Sequence, residues 1–148
     1  MWNSKRSILL SLICLYVFGA VFAAVEIFAL PLVGWLLIQF SLPAALQGLL
    51  TGFIYACLLP VGYALYLLWR ILRRVQKGDP FGLPNIRSLR WLSWCCFAVA
   101  AISFGFGFGY FALWVLTPLA AFVGLILRVV KNACQQAWEL QQDNEMTI

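Results

Sequence analysis

Long apolar runs constrain this chain more than any other feature. From Ile8 to Ala29 the only charged residue is Glu26, and comparable stretches cover about 48–72, 89–107 and 112–130. As helices rising ~1.5 Å per residue, these runs match a hydrocarbon core of ~30 Å. Hydrophobic residues make up 64% of the 148 and charged ones 10%, so no soluble core could absorb this much apolar surface. The expectation is an all-α integral membrane bundle of four transmembrane helices, forming one domain.

Lys5 and Arg6 precede the first run, and Val21-Phe22-Ala23 could pass for a signal-peptide cleavage site. The apolar run extends well beyond it, which favours an uncleaved first helix. The segment 30–47 is interrupted by Pro31, Gly34 and Pro43 and carries Trp35, so it reads as an outer-surface or re-entrant segment rather than a span. Pro60, in the middle of the second span, predicts a kink. Gly105-Phe106-Gly107-Phe108-Gly109-Tyr110 reads as the short turn between the third and fourth spans, in preference to a helix-contact motif at Gly105 and Gly109.

Every Lys and Arg falls in one of three clusters: Lys5 and Arg6, the stretch from Arg70 to Arg90, and Arg128 with Lys131. Four spans place all three on one side, which the positive-inside rule identifies as cytoplasmic, together with both termini. The net charge of +5 is therefore a topology signal and a lipid contact, and direct nucleic-acid binding is not expected, since no recognition motif accompanies it.

The central basic loop, 73–88, has internal structure. Arg70, Arg73, Arg74 and Lys77 recur at helical spacing and predict one basic stripe on an extended second helix. Gly78 suits the residue just past a helix end, and Pro80 stops the helix. Asp79-Pro80-Phe81 predicts a tight turn with Phe81 as an anchor, and Asn85 is expected to cap the third helix. Arg87 and Arg90 occupy a first turn where the helix dipole disfavours cations, so lipid, topology or a partner must account for them. Trp91 and Trp94, each four residues on, offer them cation–π partners. The stripe suits anionic lipid headgroups or a docking surface for a protein.

Glu26 is the one carboxylate within an apolar run and thus a candidate for ion coupling, though its place near the far end predicts a wetted position. The tail, 131–148, continues the fourth helix with Leu127, Val130, Cys134 and Trp138 on one face. Glu139, Asp143 and Glu145 make its end acidic, so it could fold weakly against the basic loop. No enzyme constellation, phosphate-cradling loop or metal-ligand spacing occurs. The five cysteines form no CxxC pair and His is absent, so neither cofactor nor metal is expected.

Val75-Gln76-Lys77-Gly78-Asp79-Pro80-Phe81, then Asn85, Leu89-Arg90 and the ending from Glu139 to Ile148 resemble domain-of-unknown-function family 2975, small bacterial membrane proteins with four predicted helices. Members are often encoded beside a Cro-type helix-turn-helix regulator, which implies a regulatory pairing. Gly82-Leu83-Pro84 departs from the more polar residues usual after the Phe. The resemblance carries no catalytic residue. The resulting expectation is a non-enzymatic bacterial inner-membrane protein whose loop and tail bind a regulator or another membrane protein. The alternative is an oligomeric small transporter or channel using Glu26, comparable in size to the small multidrug exporters.

Overall fold

The computed structural model describes residues 4–78 and 82–147, all helix and connecting turn. Five helices follow in order: α1 (Ser4–Ile27), α2 (Ala29–Gln39), α3 (Leu46–Gln76), α4 (Leu83–Gly107) and α5 (Leu113–Thr147). Four of them, α1, α3, α4 and α5, are long and apolar enough to cross a membrane.

The break between α1 and α2 has a local cause. Pro31 has no N–H to give the Ile27 carbonyl, and its ring crowds that carbonyl. α1 ends at Ile27, and Phe28 turns out of helical geometry at φ −98°, ψ 18°. At 11 residues, about 16 Å, α2 is too short to cross the core, which agrees with the expectation for 30–47. It ends with Ser41 at φ 51°, where the Leu42 N–H bonds back to the Leu37 carbonyl at 2.9 Å and the Ser41 N–H to Ile38 at 3.3 Å. That pair of bonds is the Schellman arrangement, which satisfies the last carbonyls. α3 includes Pro60 and extends to Gln76, and α5 includes Pro118. With 35 residues, α5 is about 52 Å long, so its tail projects well beyond any hydrocarbon core.

The spans pack in a row and do not close into a ring. α4 touches α3 and α5, α3 also touches α1 and α2, and among the described residues α1 reaches neither α4 nor α5. The packed side of α1 and α2 reads Ile8, Leu12, Leu15, Gly19, Phe22, Glu26, Ala29, Val33 and Leu37, alternating mostly by four and three residues. This is the seam spacing of a helix lying along one neighbour. The rest of α1 is exposed apolar surface, including Leu9, Ile13, Val17 and Val21. Deeper packing centres on Leu67, Leu92 and Cys95, with Ile71, Leu89 and Leu127 around them, and so joins α3, α4 and α5. Lipid tails are as apolar as leucine, so close packing and internal hydrogen bonds hold such a core together more than removal from water does.

At the α4–α5 hairpin, a Cβ on Gly107 would overlap the Trp114 indole, and one on Gly109 would overlap Leu49. Nothing lies near Gly105. Gly107 and Gly109 therefore serve close approach at the turn, and the Gly105–Gly109 pair forms no helix contact within the chain. The Trp114 indole N–H donates to the Phe104 carbonyl at 3.2 Å and stacks on the Phe104 ring with centroids 6.1 Å apart.

Candidate functional site

α3 delivers its basic stripe to one end of the row. The helix closes at Lys77 and is followed by Gly78, whose φ of +95° favours glycine. This bears out the reading of Gly78 as the residue past the helix end. Phe81 and the Asp79-Pro80 turn lie outside the described residues.

Asn85 does not cap α4. The helix starts two residues earlier, with Gly82 in extended geometry as its N-cap and Pro84 in the first turn. Proline suits that place because its missing N–H would have no intrahelical acceptor there. Asn85 is only 2% exposed and turns towards α3, where its Oδ1 accepts from Arg74 Nη1 at 3.3 Å. The same Nη1 donates to Ser88 Oγ at 3.2 Å, and Ser88 in turn donates to the Pro84 carbonyl at 2.9 Å. A half-buried guanidinium from one span is thus held by two buried polar side chains of the next. Hydrogen bonds to a charged group contribute ~1.5–3 kcal/mol each.

The basic residues from Arg70 to Arg90 divide among three hollows. Arg70, Arg74 and Arg87 converge on a cleft of about 390 Å³ between α3 and α4, walled by Tyr63, Leu67 and Trp91. Arg70, Arg73, Arg74 and Lys77 line a second hollow with Trp69, on the outer side of α3. Arg87 and Arg90 line a third, of about 240 Å³, with Lys131, Gln135 and Trp138 of the tail. The predicted stripe is therefore present, but Arg74 and Arg73 face different hollows in part, and Arg74 is engaged structurally.

The cation–π partners differ from those expected. Arg128 of α5, not Arg90, lies over Trp94, 5.4 Å from the ring centroid, and also over Phe97 at 5.7 Å. Arg87 makes no such contact with Trp91, although both line the α3–α4 cleft. On α3, Arg70 sits over Tyr66 at 5.7 Å and Arg73 over Trp69 at 5.2 Å. The Trp69 indole N–H also donates to the Tyr16 hydroxyl at 3.0 Å, tying α1 to α3. Spacing along one helix can suggest only pairs within that helix, and both cation–π contacts of Arg128, like the Trp69–Tyr16 bond, are made between neighbours in space.

The tail packs as a helix beside the start of α4, with Leu127, Cys134 and Trp138 half-buried. Val130 instead points outward, 41% exposed, and Lys131 takes the packed side. Glu139 is exposed, and its Oε1 accepts from Gln135 Nε2 at 3.3 Å. Where the tail meets the described start of α4, Lys131, Gln135 and Trp138 face Arg87 and Arg90.

At the opposite end, Glu26 is buried, 9% exposed, and its Oε2 has no hydrogen-bond partner. The wetted position expected for it is not observed, because it occupies a seam position against α3. Thr51, Ser103 and Thr117 also hold buried hydroxyl oxygens without a partner. Among the described residues no group of His, Cys, Asp and Glu could hold a metal ion.

The family described as "Protein of unknown function (DUF2975)" matches residues 7–148, and the chain belongs to it. No curated protein and no solved structure matches the chain.

Proposed function

With membership of this family and four membrane-crossing helices as premises, we propose that the protein is a non-enzymatic interaction protein of a bacterial inner membrane. Both termini face the cytoplasm in this reading, and the basic loop and tail bind a regulator of the helix-turn-helix kind or another membrane protein. The observation that supports it best is the hollow between α4 and α5, where Arg87, Arg90, Lys131, Gln135 and Trp138 meet. Charged side chains around a half-buried tryptophan form the sort of small anchor pocket on which protein contacts concentrate. The length of α5 gives that pocket a helical wall beyond the bilayer.

Capture from solubilised membranes tests the proposal. The intact protein should retain a partner that the Arg90→Glu, Lys131→Glu variant loses, because rim charges set encounter and register. Identical sets of retained proteins would refute it.

Burial of Glu26 favours a second reading, an oligomeric small transporter or channel. A carboxylate inside a span without an internal partner is a site where a translocated cation or proton can bind. Cation uptake by proteoliposomes that Glu26→Gln abolishes would support it, and absence of uptake by the intact protein would eliminate it.

A further inference from the structure

We infer that the cleft between α3 and α4 is a binding site for the phosphate of an anionic phospholipid. Arg70, Arg74 and Arg87 take the phosphate oxygens, and the acyl chains lie against Tyr63 and Trp91. The inference concerns a different hollow from the proposed protein-binding pocket, shares Arg87 with it, and does not depend on it.

Charge is the first support. Three guanidiniums face one space of about 390 Å³, and among the described residues no carboxylate pairs with any of them. The second is preorganisation. Arg74 spends one nitrogen, Nη1, on Asn85 and Ser88, which fixes the plane of its guanidinium. Guanidinium forks match phosphate oxygens in pairs, and a fork already held in place loses less freedom on binding.

The third support is the start of α4. Leu83 and Pro84 form part of the cleft. The Asn85 and Ile86 N–H groups bond to the Gly82 carbonyl and Pro84 has none, which leaves the Leu83 N–H, and the N-cap Gly82 brings no side chain to cover it. An anion there complements the positive end of the helix dipole. It also gives a counter-charge to Arg87, the fifth residue of α4.

The apolar walls decide between a lipid and a soluble phosphate. Trp91 is 52% exposed and Tyr63 45% exposed, each on a membrane-crossing helix just below the arginines. Tryptophan and tyrosine favour the headgroup level, and arginine stems reach from apolar surroundings to that level. A free phosphate would have no use for this wall, whereas a lipid has both parts.

The test uses the full chain, freed of lipid in non-ionic detergent, with bound lipid counted by native mass spectrometry. The intact protein should retain phosphatidylglycerol in preference to phosphatidylcholine. Arg70→Gln with Arg87→Gln should weaken that retention about tenfold. Arg90→Gln with Lys131→Gln removes the same charge from the same end outside the cleft and should change it less than about twofold. Equal losses in the two double variants would mean diffuse attraction to a basic surface and would overturn the site. Arg70 and Arg87 are exposed, so folding is expected to survive, and circular dichroism checks it. Trp91→Ala supplies a second reading of the wall: it should lower phosphatidylglycerol retention while leaving any protection by inorganic phosphate unchanged. If inorganic phosphate alone raises the melting temperature as much as the lipid does, the ligand is a soluble phosphate and the lipid assignment fails.

Discussion

The two ends of this molecule treat buried polar groups in opposite ways. At the basic end, Arg74, Asn85 and Ser88 satisfy one another across two spans. Midway along, the Ser93 hydroxyl donates to the Gly124 carbonyl of α5 at 3.0 Å. At the other end, Glu26, Thr51, Ser103 and Thr117, one from each of the four spans, hold oxygens with no partner. Polar groups at membrane depth are costly unless paired, so the basic end derives cohesion from them while the other end bears their cost. The difference separates polar residues that build the fold from polar residues that the fold merely tolerates.

Substitutions that exchange these roles put the contrast at risk. Asn85→Ala removes an acceptor from a half-buried guanidinium and should lower unfolding free energy by about 2–3 kcal/mol, read from thermal or denaturant unfolding in detergent. A loss below about 0.5 kcal/mol would mean that the Arg74 network is ornamental. Glu26→Leu should act in the other direction. Replacing an unpartnered buried carboxyl with an apolar side chain of similar size should raise stability by about 1–2 kcal/mol in the same assay, and a loss of stability would show that Glu26 has a partner in the working protein. The smallest effect belongs to Ser103→Ala, which deletes an unpartnered hydroxyl at a fully buried position and should leave stability level or raise it by up to about 1 kcal/mol. If Ser93→Ala and Ser103→Ala cost the same, the contrast between partnered and unpartnered serines disappears.

Much of the architecture was legible because membranes make long apolar runs unambiguous. Each of the four expected spans falls in a helix long and apolar enough to cross a membrane, and the short segment after the first is a helix too short to cross. The site was legible in composition but not in connection. Asn85 satisfies the local rule for a cap, yet a guanidinium from α3 offered it a stronger partnership, and the N-cap position fell to Gly82. Trp94 has a suitably spaced arginine on its own helix but takes one from α5, since lateral neighbours are invisible to spacing along one helix. Glu26 was misjudged by its distance along the helix. The signal that could have corrected this was the seam from Ile8 through Leu12, Leu15, Gly19 and Phe22, whose next position is Glu26.

The open row of helices has a consequence for how the protein is made. Apart from the short α2, each span packs against the spans immediately before and after it, and α1 never meets α5. Contacts that are near in sequence form soonest, because little loop must be closed to reach them. Assembly can then proceed in the order of synthesis, each new span docking on its predecessor while the next is still being added. No late ring closure between first and last helices has to succeed before the rest is stable. In that order the cleft between α3 and α4, lined by those two helices alone, would be complete before α5 arrives, and the hollow that needs the tail would form last.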